Sequence, residues 1–119
     1  MTRLSADERI ARMTFASVYP HYVTKVVRKG RTIEELHIVI CWLTGWSAAQ
    51  LEAQINGNAT FVEVFASVRM PEAAQKIRGV ICGIRVEEIE NSLTQKVRFL
   101  DKLVDELARG KRLESIIRN

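Results

Sequence analysis

Proline occurs twice and cysteine twice in this chain of 119 residues, and residues 32–68 contain no lysine or arginine. Each scarcity excludes something. Cys41 and Cys82 lie far apart, each beside apolar residues. They make no disulfide framework and read as buried free thiols. No apolar run approaches the roughly 20 residues needed to cross a bilayer, so no membrane partner is expected. The opening MTRLSADERIARM carries acids and no apolar h-region, which argues against a secretory signal and makes the cytoplasm the expected location. Sustained period-two alternation is missing, as is a hairpin dipeptide between β-branched runs. There is no glycine-rich phosphate loop, dinucleotide fingerprint or Ser-His-Asp arrangement. Nothing assembles a nucleophile, a base and an oxyanion donor, so no catalytic residue, cofactor or metal site is assigned and an enzyme ranks last.

What is present is ordinary globular material, 47% hydrophobic and 27% charged, enough for one domain with one core over residues 1–119. Helix signals run throughout. Ser5/Glu8, Thr32/Glu35, Ser47/Gln50 and Thr60/Glu63 each have the spacing of a capping box. FASVYPHYVTKVVRKG reads as a helix with Pro20 in its first turn. Ile33, Leu36, Ile40 and Leu43 make a helical stripe that Gly45 ends, and Asn56-Gly57-Asn58 is a turn. Pro71 opens a sixth helix towards Ile81, with a short extended stretch through GVICGI as the alternative. Gly79 weakens that helix or permits a close approach. The last helix is expected from about Val86 to Ala108, roughly 35 Å long. It has a core stripe and a flanking stripe of Phe99 and Leu103, and a helix that long could overhang the domain. The fold class is therefore all-α, a small non-parallel bundle of six to seven helices.

One pattern occurs twice. Arg31–Ile55 aligns without gaps on Arg69–Leu93, with Arg31/Arg69, Glu34/Glu72, Gly45/Gly83 and Glu52/Glu90 identical. Both copies read as helix, glycine, helix, which predicts two similar corners about one core.

Phe15–Tyr22 (FASVYPHY), Trp42–Trp46 (WLTGW), Gly79–Glu90 (GVICGIRVEEIE) and Leu100–Lys111 (LDKLVDELARGK) resemble an uncharacterised bacterial family, the domain of unknown function numbered 2200. The resemblance spans most of the chain and implies a small bacterial cytosolic protein folded as a compact, non-parallel helix bundle. It carries no activity, cofactor or catalytic residue. Ser67–Lys76 departs from it in lacking an Asn-Pro turn element.

Five groups of residues invite a functional reading. Around Gly45 the chain fits a helix-turn-helix: small Cys41, apolar Trp46, the cap Ser47, then Leu51 and Ile55. A DNA reader needs cations or amides on the second helix. Here the exposed positions are Ala49, Gln50, Glu52, Ala53 and Gln54, and the second corner offers Glu87, Glu88 and Glu90, so a structural corner is the simpler reading. Residues 1–31 hold seven bases against two acids. Lys25, Arg28, Lys29 and Arg31 lie near Tyr19 and Tyr22, a pattern that can hold phosphates and stack bases or simply complement a helix end. His37 and Cys41 are one turn apart, and with His21 and Cys82 they form a weak metal or thiol candidate. Trp42 and Trp46 read equally as core or as the wall of an apolar groove. Asp101, Asp105 and Glu106 read as a salt-bridged exposed face, with Asp105–Arg109 and Lys102–Glu106 as pairs. The expected function is a non-enzymatic protein-interaction or self-associating module whose contact surface is Trp42, Trp46, Phe99 and Leu103. Its partner is another protein or a second copy. The alternative is a weak nucleic-acid binder using Lys25, Arg28, Lys29 and Arg31.

Overall fold

The computed structural model describes residues 4–118. In chain order it contains α1 (Ala6–Arg12), α2 (Phe15–Arg28), α3 (Ile33–Thr44), α4 (Ala48–Ile55), α5 (Phe61–Ser67), a 3-10 turn (Glu72–Lys76), the strands β1 (Val80–Ile81) and β2 (Ile84–Arg85), a second 3-10 turn (Val86–Glu88), α6 (Ser92–Ala108) and α7 (Leu113–Ile116). The molecule is predominantly α-helical, with a two-residue antiparallel hairpin as its sheet among the described residues.

The local rules hold where caps are present. All four capping boxes form, at Ser5, Thr32, Ser47 and Thr60. Each satisfies backbone N–H groups that the first helical turn leaves free. Thr14 caps α2, so Pro20 lies well inside that helix and not in its first turn. Its missing N–H leaves the half-buried Ala16 carbonyl without its helical donor, while the proline ring itself is exposed. The caps of α2 and α5 lie side by side. Phe15 N–H donates to the Ala59 carbonyl and Phe61 N–H to the Met13 carbonyl, closing an antiparallel bridge between Thr14 and Thr60.

α6 is the axis of the fold. α1, α2, α3, α5, α7 and the hairpin all pack on it, while α4 rests on α2 and α3. Ten of its seventeen residues are buried, so it has no continuous solvent face beyond its first two turns. It starts at Ser92, capped by Asn91, and not at Val86. Its length is therefore about 26 Å, within the 45 × 31 × 28 Å envelope of the molecule, and the expected overhang does not exist.

The second copy of the repeat is where the sequence reading fails. Arg31–Ile55 forms α3, a left-handed Gly45 (φ 75°) and α4. Arg69–Leu93 instead forms a 3-10 turn, a hairpin and a second 3-10 turn. Cys82 (φ 52°) and Gly83 (φ 78°) are both left-handed, and Val80 pairs with Arg85 and Ile81 with Ile84. Cys-Gly thus serves as a two-residue hairpin turn of the kind Asn-Gly makes. Gly79 sits at φ 117°, where a Cβ would lie 2.9 Å from Cε of Lys102. Lys102 reaches over it to donate to the Val80 carbonyl at 3.2 Å, so the close approach is between hairpin and α6 and not between two helices.

Candidate functional site

Two hollows adjoin on one side of α6. The first, of about 310 Å3, lies between α1, β2 and the start of α6 and is lined by Ala6, Asp7, Ile10, Ile84, Ile89, Glu90, Asn91, Thr94 and Arg98. The second, of about 300 Å3, lies between α1, α2, α5 and α6 and is lined by Ile10, Met13, Val18, His21, Tyr22, Phe61, Val97, Arg98 and Asp101. They share Ile10 and Arg98. They adjoin along these two residues, and the surface lining both is mainly apolar. Two of its apolar residues are strongly exposed, Ile84 at 47% and Met13 at 42%.

A polar spine crosses the groove. Tyr22 donates its hydroxyl to Asp101 Oδ1 at 2.5 Å, and Arg98 donates to Asp101 Oδ2 at 3.0 Å. The same Arg98 nitrogen lies 3.6 Å from Sγ of Cys82 at the hairpin tip. Burial pushes the Tyr22 phenol far above its ordinary range, and the Asp101 carboxylate adds to the rise, so it stays protonated as a donor. Nε of Arg98 is buried and has no acceptor among the described residues, a state that costs about 1–3 kcal/mol for an unmade hydrogen bond. At the other end Thr94 donates to Asp7 Oδ1 at 2.6 Å, tying α1 to α6. The Tyr22–Asp101 and Asp7–Thr94 links join residues far apart in sequence, and no local spacing announced them.

The expected contact residues are redistributed. Phe99 and Leu103 are 3% and 0% exposed, so the flanking stripe is core, not a docking face. α6 is enclosed on the side they occupy. Trp42 and Trp46 are half-buried and packed against the core, and Trp46 meets Phe15 edge-on with ring centroids 5.3 Å apart. Cys82 is exposed and Cys41 half-buried, so the expectation of two buried thiols is also corrected.

Half of the basic cluster is spent within the chain. Lys25 pairs with Asp105 at 3.0 Å, and Arg109 holds the other oxygen at 2.9 Å. Arg31 pairs with Glu35 at 2.7 Å and donates to the carbonyls of Leu107 and Lys111. Arg28 and Lys29 remain exposed. Lys25 and Arg28 belong to the last turn of α2, and the Arg109 pair stands at the C-terminus of α6. There the helix dipoles already favour cations. The acidic face is mostly not exposed: Asp105 and Glu106 are each 7% exposed. Burial raises the Asp105 carboxyl, and the Lys25 ammonium and Arg109 guanidinium outweigh that effect and hold it below its ordinary range. Glu106 takes Lys111 and Arg118, leaving Lys102 for the hairpin.

The metal candidate disperses. His37 Nε2 meets the Tyr19 hydroxyl at 2.5 Å, His21 lines the second hollow, and Cys82 stands by Arg98. Among the described residues no three His, Cys, Asp or Glu side chains gather in a metal-holding group.

A crystal structure of uncharacterized protein SP1917 superposes on this chain with a TM-score of 0.86 at 37% identity, covering 98% of this chain and 94% of that one. No curated protein matches. The model of the DUF2200 family, described as uncharacterized protein conserved in bacteria, matches residues 9–118, and with nearly the whole chain inside that match the protein belongs to this bacterial family.

Proposed function

We propose that the chain is a non-enzymatic interaction module that receives a linear segment of another protein in the groove between α1, α2, α6 and the hairpin. The observation that carries this reading is the adjacency of the two hollows, which share Ile10 and Arg98. An elongated apolar trough crossed by a polar spine suits an extended chain better than a compact small molecule, which favours a single enclosed pocket. The exposed Ile84 and Met13 supply apolar contact of the kind that anchors such segments. The two free thiols suit a reducing, cytoplasmic setting.

The nucleic-acid reading has less support. Lys25 and Arg31 are paired internally, and the exposed face of α4 carries Gln50 and Glu52 with no cation. The helix-turn-helix-like corner at Gly45 serves packing in this reading.

Selection of displayed random peptides on the immobilised chain tests the proposal. Peptides recovered on the wild type should lose binding to Ile84→Glu and Met13→Glu, both surface changes that leave the fold intact. Recovered peptides indifferent to both variants would overturn it. Light scattering that shows a dimer split by Ile84→Glu would assign the groove to a second copy instead.

A further inference from the structure

We propose that the occupant of this groove is a basic–apolar segment, with a lysine or arginine seated between Asp7 and Glu90 and an apolar side chain in the neighbouring hollow. This rests on the groove being the contact surface and adds the chemistry of what it takes. The groove contains three carboxylates, Asp7, Glu90 and Asp101, against one guanidinium, Arg98. Arg98 is committed to Asp101. Among the described residues Asp7 accepts only the Thr94 hydroxyl, and neither Asp7 nor Glu90 has a cationic partner there. This local deficit stands in a chain whose formal net charge is +4.

The geometry suits a long cationic side chain. Ile84 and Ile89 line the same hollow as the two acids. An aliphatic stem can lie on them while its charged head reaches the carboxylates. On an extended segment, side chains on one face recur about every 7 Å, which carries the next one towards Met13, Val18 and Phe61 in the second hollow. Between the two stands Arg98, whose Nε lacks an acceptor among the described residues.

Fluorescence anisotropy with three labelled nonapeptides tests this, alternating leucine with arginine, with glutamine, or with glutamate. The arginine peptide should bind about tenfold more tightly than the glutamine peptide, and added salt should narrow the gap. Asp7→Asn with Glu90→Gln should weaken only the arginine peptide, by about fivefold, and Glu114→Gln on α7 should change nothing. Asparagine at position 7 keeps the acceptor for Thr94. Glu90→Gln alone, at an exposed site, serves if the double variant melts early by circular dichroism. Equal affinity for all three peptides, still abolished by Ile84→Glu, would overturn the charge assignment and leave the groove standing. Binding of every peptide unchanged by Ile84→Glu would overturn both.

Discussion

Arg31–Ile55 and Arg69–Leu93 share four identities and a central glycine, yet one is a helical corner and the other a hairpin. Gly45 and Gly83 have nearly the same φ, 75° and 78°. A left-handed glycine ends a helix and turns a hairpin equally well. The flanking residues decide. Thr32 and Glu35 cap α3, and their counterparts are Met70 and Ala73, which cannot. Leu36, Ile40 and Leu43 bury a helical stripe. Their counterparts are Ala74, Arg78 and Ile81, so the stripe is broken by a cation. Cys41 becomes Gly79, and the cap Ser47 becomes Arg85. A repeated glycine and two repeated acids therefore do not repeat a structure when caps and stripe are lost.

The largest test of this account exchanges the residues that differ most. Ile40→Arg places a guanidinium at a fully buried site and should cost more than about 4 kcal/mol. The reciprocal Arg78→Ile should stay within about 0.5 kcal/mol. Urea midpoints measure both, and equal effects would mean that the stripe does not distinguish the copies. Next come the glycines. Gly45→Ala and Gly83→Ala should each lose about 1–2 kcal/mol for an L-residue in the left-handed region. The two losses should be alike, because a Cβ at Gly45 would make only an ordinary contact with the Arg69 carbonyl at 3.6 Å and one at Gly83 would meet open space.

Thr32→Ala should cost about 1 kcal/mol through the lost cap, while Met70→Ala at the matching position should leave the 3-10 turn's amide exchange unaltered. Cys82→Asn should raise stability by a few tenths of a kcal/mol, since asparagine tolerates the left-handed turn. A loss on this substitution would argue against the hairpin. The smallest effect is on pH dependence. Hydrogen bonds from Arg31 and from the Thr32 backbone lower the Glu35 carboxyl from 4.5 to about 2. Its contribution is thus complete above pH 4.5 and disappears as the pH falls to about 2. Glu35→Gln should flatten the acid limb of the stability curve in that window. Ala73 gives the second copy no such limb.

Much of the helical half was legible because its signals are local. A cap and its partner sit three residues apart, and a stripe recurs within one element. The hairpin was concealed by Cys-Gly, a dipeptide that does not announce a turn as Asn-Gly does. The enclosure of α6 was hidden by the charges in its last turns. Asp105 and Glu106 look like surface residues until Lys25 and Arg118 are seen to neutralise them. Phe99 and Leu103 therefore looked like spare apolar surface when they belong to the core. The groove was invisible for the same reason, since Asp7–Thr94 and Tyr22–Asp101 join residues 87 and 79 positions apart.

Because α6 is the element on which the others rest, the order of synthesis acquires weight. The segments that form α1 to α5 are synthesised before Leu100, Leu103 and Leu107. Until then the side chains destined to cover those leucines have nothing to cover. A chain that stops short of α6 is therefore expected to expose that apolar surface and to lack cooperative unfolding, because the central rod is what the other helices pack on.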